Sequence, residues 1–290
     1  MFRIRRDRRS TPGEVPASRF EWIARIGYAA CGLVYVSIGL AAVAVALGLA
    51  EDPKGSRGVM MLIARQPLGE LVVVALGAGL AAYAILNIAG AINDPKRRGL
   101  SFPGILIRSA DALTGALYIA LAVAALAIVV APKRNGMSGA VAWANGVLAL
   151  PYGATLLGLI GLALFGGAGF LVYRAWDEPF GNMLDRRSLS ADARWAIAVA
   201  ARVGTVARAV IFGICGMFVI RAAASAAPDR VADVDDALAM IGQAAFGPLL
   251  LIVAGAGFVA YGWYQLAKAR YQRISDYAAG ANANELTSPL

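Results

Sequence analysis

The 290-residue chain contains no histidine and only two cysteines, and charged residues make up 16% of it. The lack of histidine removes the commonest metal ligand and the usual proton carrier near neutral pH. Cys31 and Cys215 both lie in long apolar stretches, where cysteine ordinarily serves as a small buried side chain. We therefore predict neither a metal site nor a disulfide framework.

The sequence also lacks the short motifs that carry common enzyme chemistry. It has no phosphate-binding loop, no HExxH, no CxxC, no nucleophile elbow and no helix with paired carboxylates. We predict a protein without catalytic residues, cofactor or nucleic-acid partner. An enzyme that modifies lipids through an unrecognised site is the least favoured alternative.

Apolar residues, in contrast, make up 59% of the chain and give it a mean hydropathy of +0.65. They form long blocks, of which the first runs from Ala24 to Gly48 with no charged residue between Arg25 and Glu51. About 24 helical residues rise about 36 Å, enough to cross a bilayer core of about 30 Å. The blocks predict an all-α, multi-pass membrane protein with spans at 26–49, 68–92, 105–131, 151–173, 203–226 and 246–267.

Lysine and arginine are unevenly divided between the two sides of these spans. The side that carries both termini holds 20 of them and the opposite side holds 7. Because loops rich in lysine and arginine stay on the cytoplasmic side, we predict that both termini are cytoplasmic. The predicted location is the bacterial plasma membrane. The loops on the opposite side each contain a short amphipathic piece, the last of which starts at Asp233 with a helix-capping pattern.

An internal repeat divides the chain into three units. When Arg25, Arg108 and Arg202 are aligned, glycine, alanine and aromatic residues coincide at the same offsets. The predicted units are 21–95, 104–179 and 198–273, between a disordered basic tail, 1–20, and a C-terminal tail, 274–290. Each unit has two spans, so all three enter the membrane from the same side. This predicts parallel repeats in a pseudo-threefold bundle.

Small and aromatic residues form a stripe on the first helix of each unit. Small residues let helix backbones approach closely, which is how helices associate in lipid. We therefore predict that the first helices meet along this stripe, and the alternative is that it lines a pore or cleft. Its members are Gly27, Gly32, Tyr35, Gly115, Tyr118, Gly204 and Phe212.

The segment A-R-x-G-Y-A-A-x-G-x-V-Y-x-x-x-G at 24–39, repeated three times, resembles the bacterial "domain of unknown function 1206" family. The resemblance covers about residues 20 to 275 and implies a six-span bacterial membrane protein with no established activity. In the family's motif a basic residue stands six positions after the arginine. Cys31, Thr114 and Arg208 occupy that position here, so only the third unit conforms.

Few polar residues lie within the predicted spans, and such residues need partners in lipid. Asp111 follows Arg108 by three residues, which predicts an ion pair. Asn87 and Gln265 share a repeat position and are predicted to hydrogen-bond between helices. Arg208 and Arg221 bracket the fifth span and are predicted to extend towards opposite membrane surfaces.

These features leave two main hypotheses. The first is a non-catalytic scaffold or lipid-associated protein that binds anionic headgroups on the cytoplasmic side and possesses the potential to form a homo-oligomer or a larger complex. The alternative is an ion channel or small-solute transporter along the pseudo-threefold axis. The residues assigned to lipid or anion binding are Arg25, Arg108, Arg202 and Arg208.

Overall fold

The structure is a computed structural model and describes residues 17–93, 99, 101–130, 139–177 and 190–271. All regular structure in these residues is helical. The helices are α1 (Ala17–Ala46), α2 (Ser56–Ala64), α3 (Gly69–Asn93), α4 (Phe102–Val130), α5 (Gly139–Leu148), α6 (Gly153–Asp177), α7 (Ala191–Ser225), α8 (Val234–Gln243) and α9 (Gly247–Tyr271), with a 3-10 turn at Pro228–Arg230.

Six of these helices, α1, α3, α4, α6, α7 and α9, are long and apolar enough to cross a membrane. This confirms the predicted number of candidate spans and their order. The largest difference lies in α7, which begins at Ala191 and not near residue 203. Its 35 residues extend about 52 Å, well beyond the thickness of a bilayer core. The predicted tails, 1–20 and 274–290, lie almost wholly outside the described residues.

The short helices α2, α5 and α8 occupy the three loops for which amphipathic pieces were predicted, and each enters the next long helix through the same turn. Leu68, Tyr152 and Phe246 have left-handed backbones, with φ of 62°, 60° and 61°. The following residue is Gly69, Gly153 or Gly247, where a Cβ would overlap a carbonyl of the preceding short helix. Glycine is therefore required at each of these sharp turns.

The long helices pack in the spatial order α4, α3, α1, α9, α7 and α6. The second long helix of one unit thus packs against the first long helix of another, in the pairs α3–α4, α6–α7 and α9–α1. The two helices at the ends of this order, α4 and α6, do not pack along one another in the described part of the chain. We call the space between them the α4–α6 opening.

Glycines allow the closest of these approaches. A Cβ on Gly39 would lie 2.5 Å from the carbonyl oxygen of Gly255, and one on Gly216 would lie 3.1 Å from that of Gly161. Gly32 faces the Gly262 carbonyl, and Gly115 faces that of Ala84. The prediction that the stripe joins the first helices to each other is thus wrong for its glycines, because they pack on α3 and α9. Between the first helices, Tyr118 of α4 contacts Tyr35 and Cys31 of α1, and Arg208 of α7 lies over the ring of Tyr35.

The glycine contacts that join α1 to α3 and α7 to α9 have no counterpart between the described residues of α4 and α6. In the first unit Gly27 packs on the backbone of Tyr83, and in the third Gly204 packs on that of Tyr261. The aligned residues of the second unit are Ala110 and Gly167. Here the glycine stands on the second long helix and not on the first. A Cβ on Gly167 would meet no described atom within 4 Å.

Large apolar side chains lie on the outside of the bundle, and small ones fill the inside. Leu33, Leu40, Leu71, Ile85 and Leu159 are exposed, as are all five tryptophans. An exposed apolar surface of this extent is unsuited to water and suits the hydrocarbon of a bilayer.

Aspartates cap the short helix α8 and link it to the residue that precedes α2. Asp233 caps α8 by accepting hydrogen bonds from the backbone N–H groups of Asp235 and Asp236, and Asp236 completes a capping box. Asp235 Oδ1 accepts a hydrogen bond from the N–H of Gly55. Burial raises the pKa of the Asp235 carboxyl, and the charge of Asp233 raises it further.

Replacing Gly39 by valine should destabilise the protein, because the added side chain collides with the backbone of α9 at Gly255. Overpacking of this kind costs about 1–3 kcal/mol. We expect a clear fall in the unfolding temperature of the purified protein in detergent. The control is Gly90→Ala, where the new Cβ meets no described atom within 4 Å. Equal unfolding temperatures for the two variants would contradict the packing described.

The pKa shift of Asp235 predicts a pH effect on stability. Because the folded protein holds this proton more tightly than the unfolded chain, stability should fall as the pH rises from the ordinary aspartate value near about 3.9 to the higher folded value. Asp235→Asn should make this fall shallower in thermal unfolding scans at stepped pH. A pH slope in Asp235→Asn equal to that of the unmodified protein would contradict this assignment.

Candidate functional site

Six of the ten tyrosines gather in the middle of the bundle. Their rings touch across helices: the centroids of Tyr83 and Tyr118 are 4.7 Å apart, and those of Tyr35 and Tyr261 are 4.8 Å apart. Edge-to-face contacts of this kind suit aromatic rings. The tyrosine cluster comprises Tyr28, Tyr35, Tyr83, Tyr118, Tyr261 and Tyr264, which come from α1, α3, α4 and α9.

Hydrogen bonds link the hydroxyls of this cluster across the helices. Tyr118 Oη donates to Tyr35 Oη at 3.1 Å and lies 3.3 Å from Cys31 Sγ. Gln265 Nε2 donates to Tyr83 Oη at 3.0 Å and to Cys31 Sγ at 3.2 Å. The interhelical role predicted for Gln265 is confirmed. Its Oε1 is buried and has no hydrogen-bond partner among the described residues.

Arg208 reaches this cluster from α7 and is only 6% exposed. Its Nη1 donates to Tyr261 Oη. The guanidinium carbon lies 4.5 Å from the ring centroid of Tyr261 and 5.2 Å from those of Tyr35 and Phe212. The prediction that Arg208 extends towards a membrane surface is wrong. The side chain turns inward because three aromatic rings interact with its charge there.

The hydrogen bonding of Arg208 is incomplete in the described structure. Its Nε is buried without an acceptor. The ion pairs between described residues are Arg25–Glu21, Lys54–Asp52 and Arg174–Asp111, and none of them includes Arg208. The site is thus a buried cation surrounded by rings and hydroxyls, without a carboxylate partner in the part of the chain that the structure describes.

Two of the three aligned surface arginines bind helix ends. Arg25 Nη1 donates to the carbonyls of Ala269 and Arg270, at 3.0 Å each, at the end of α9. Arg108 donates in the same way to Ala91, at 2.7 Å, and Ile92, at 3.2 Å, near the end of α3. A cation there satisfies carbonyls that lack partners within the helix.

Arg202, the third of these arginines, behaves differently. It is exposed on α7, and it makes no side-chain hydrogen bond or ion pair with any other described residue. The helix α7 packs against α6, as α1 packs against α9 and α4 against α3.

Two of the polar residues predicted within spans have partners other than those expected. Asp111 Oδ1 lies 3.9 Å from Arg174 Nη1 of α6, so its ion pair crosses the α4–α6 opening and does not join it to Arg108. Asn87 Nδ2 donates to the carbonyl of Tyr83 in its own helix, and the prediction of an interhelical bond is not met there. An asparagine within a helix can bond the carbonyl four residues earlier in its own helix.

Sequence reasoning missed Tyr83, Tyr261 and Lys268 as members of the site. The repeat alignment matched the two tyrosines to each other, but it did not show that they point to a common centre. Lys268 Nζ lies 4.1 Å from the ring centroid of Tyr28. The available signal was polar aromatic residues in the middle of apolar spans, which need hydrogen-bond partners when they are buried. Among the described residues no group of histidine, cysteine or carboxylate side chains is suited to hold a metal ion.

Six apolar helices around a buried polar cluster fit a multi-pass helical membrane protein. The chain belongs to the family described as "Domain of Unknown Function (DUF1206)", which matches residues 26–94 and 203–272. These ranges coincide with the first and third units. The part of the chain between the two ranges contains α4, α5 and α6.

A relative covers most of the chain. The "Uncharacterized protein YxxB" of Bacillus subtilis (strain 168) is 32% identical over 257 residues, which are 87% of this chain and 90% of the relative. No solved structure matches the chain significantly. The family and the relative thus support a shared fold along most of the length and assign no activity.

Tyr118→Phe should destabilise the protein while leaving its ring contacts in place. The change removes the bonds from Tyr118 Oη to Tyr35 and Cys31. A typical hydrogen bond contributes about 0.5–1.5 kcal/mol, so we expect a loss in this range per bond, measured by unfolding in detergent. Tyr152→Phe is the control, because Tyr152 is exposed. A Tyr118→Phe variant as stable as this control would exclude a contribution from these hydroxyls.

Proposed function

We propose that the protein is a non-catalytic, lipid-associated protein of the bacterial plasma membrane that binds anionic headgroups at its cytoplasmic face through Arg202. The observation that carries this proposal is the difference between three aligned arginines. Arg25 and Arg108 donate to helix carbonyls, whereas Arg202 is exposed on α7. An exposed guanidinium presents paired N–H donors that match the oxygens of a phosphate.

The surroundings of Arg202 support contact with lipid. Trp195 lies seven residues earlier in α7, hence on the same face of the helix, and is exposed. Trp176, near the end of the neighbouring helix α6, is exposed as well. Tryptophan is enriched where a membrane meets water, because its ring is apolar and its N–H is polar. The two tryptophans therefore suit the depth at which headgroups lie.

The proposed orientation follows from the distribution of charge. The side of the spans on which Arg202 lies carries 20 of the 27 lysines and arginines, together with both termini. Anionic lipids of the cytoplasmic leaflet attract basic residues near the surface. This distribution supports the proposal that both termini are cytoplasmic and that the Arg202 site lies in the inner leaflet.

The proposed arrangement is three parallel repeats around a pseudo-threefold axis. It is supported by contacts that recur at aligned positions: Gly39 with Gly255, and Gly216 with Gly161. The third such pair is Ala122 with Gly77, where a Cβ on the glycine would lie 3.6 Å from the alanine carbonyl. The recurrence supports one interface used three times, with the α4–α6 opening as the departure from symmetry.

The alternative of a channel or solute transporter is less well supported. A pore along the axis would pass through the place that Tyr35, Tyr118 and Tyr261 fill with ring contacts and hydrogen bonds. All three side chains are buried. Conduction would require these rings to separate, and the packing therefore favours lipid association over an open pore.

Arg202→Gln should reduce the retention of anionic lipid. A basic group near an anionic surface contributes about 1 kcal/mol, which corresponds to about a fivefold change in affinity. We expect a loss of this size for phosphatidylglycerol and little change for phosphatidylcholine. Native mass spectrometry of protein released from mixed-lipid nanodiscs measures both.

The matched control is Arg221→Gln, at the exposed arginine near the opposite end of the same helix. It should retain as much phosphatidylglycerol as the unmodified protein. Equal retention in the Arg202 variant and in this control would refute the proposed role of Arg202.

A further inference from the structure

We propose that Arg208 is the binding site for a single anionic group, a carboxylate or a phosphate, held inside the membrane-spanning bundle. The ligand is either an amphipathic acid from the bilayer or a small free anion, which share this chemistry. The proposal concerns a different arginine from the surface site at Arg202 and does not depend on it.

The first argument is electrical. Arg208 is 6% exposed and lies near the middle of α7, about 9 Å deeper along the helix than Arg202. A charge at such a depth in lipid is unfavourable unless it is paired. The rings of Tyr35, Tyr261 and Phe212 interact favourably with the cation, but they leave its net charge uncompensated. An anion would neutralise it.

The second argument is the geometry of the unfilled donors. Nη1 is engaged with Tyr261 Oη, while Nε is buried without an acceptor. The N–H of Nε and a terminal N–H form one edge of the guanidinium, and that edge binds two oxygens of a carboxylate or phosphate through parallel bonds. A buried donor of this kind is normally satisfied.

The third argument is that the site is single and asymmetric. Cys31 and Thr114 occupy the aligned positions in the other two units, so one arginine faces the centre where symmetry would allow three. Cys31 is held by Tyr118 and Gln265, and Thr114 donates to the carbonyl of Ala110 in its own helix. One buried positive charge matches a ligand with one negative charge.

The proposal assigns the α4–α6 opening as the route of an amphipathic ligand. At the aligned position of the second long helix, the other two units carry Tyr83 and Tyr261. The second unit has Gly167 there, in α6, and glycine has no side chain to fill the space. The space beside Gly167 contains no described atom within 4 Å of an added Cβ. An acyl chain in this space would run parallel to the helices and bring its acidic end inward. A small free anion would not need space for an acyl chain. The two candidate ligands therefore differ in whether they require the α4–α6 opening.

The test uses the full chain in nanodiscs made only of phosphatidylcholine, which carries no net charge. Three probes are titrated and binding is measured by calorimetry: oleate, oleyl alcohol and inorganic phosphate. Oleyl alcohol has the same chain as oleate without the charge. The variants are Arg208→Gln, which removes the charge, Arg208→Lys, which keeps the charge but loses the planar edge, and Arg221→Gln as the control.

We expect saturable binding of oleate or of phosphate, with at least tenfold weaker binding in Arg208→Gln and an intermediate loss in Arg208→Lys. Bonds to a charged group have strengths that correspond to about a 10- to 100-fold change in affinity. Saturation by oleate but not by oleyl alcohol or phosphate identifies an amphipathic acid as the ligand. Saturation by phosphate identifies a small anion.

Three results would overturn the proposal: no saturable binding of either anionic probe, equal binding of oleate and oleyl alcohol without phosphate binding, or unchanged affinity in a folded Arg208 variant. If Arg208→Gln does not fold, Arg208→Lys and the comparison of the three probes on the unmodified protein decide the question. Loss of oleate binding in Arg208 variants with phosphatidylglycerol retention intact would separate this site from the one at Arg202.

Discussion

The structure depends on the contact of helix backbones at glycine and alanine. In hydrocarbon the hydrophobic effect does not drive helices together, so association rests on close packing and on polar contacts. At Gly39 and Gly255, and again at Gly216 and Gly161, each helix lies so near its neighbour that a methyl group would meet a carbonyl oxygen. These approaches fix the spacing of the bundle. They also leave the large apolar side chains on the outside, where lipid replaces the protein core as their environment.

The same constraint explains where the bundle fails to close. In the first and third predicted units a glycine of the first long helix packs against the backbone of a tyrosine in the second long helix. The pairs are Gly27 with Tyr83 and Gly204 with Tyr261. The second predicted unit has Ala110 and Gly167 at these positions, so it lacks the pair of a glycine and a tyrosine. Its long helices, α4 and α6, are joined by the ion pair of Asp111 and Arg174. The family matches residues 26–94 and 203–272, which contain the pairs α1 with α3 and α7 with α9.

The hydrogen bonds between polar groups in the centre depend on this close packing of the helices. Helices held at glycine contacts bring tyrosines from α1, α3, α4 and α9 close enough for hydroxyls to bond across helices, as between Tyr118 and Tyr35. Hydrogen bonds that are shielded from water are strong electrostatically, and a group left without a partner there is correspondingly unfavourable. This is why the unpaired Nε of Arg208 is informative: Nη1 donates to Tyr261 Oη, but Nε has no acceptor among the described residues.

The sequence by itself determined the helical class, the six candidate spans, the amphipathic pieces in three loops and the helix start at Asp233, because these depend on local composition and on offsets of a few residues. It also identified the glycine stripe, but it assigned the stripe to the wrong neighbours. Only the tertiary structure decided that Gly32 faces α9, that Arg108 caps α3, that Asp111 pairs with Arg174 and that Arg208 turns inward. A periodic pattern shows which side of a helix is special, but the partner on that side is set by packing between segments far apart in the chain. The direction of a long arginine side chain follows from that packing, since the rings and carbonyls that attract it belong to other helices.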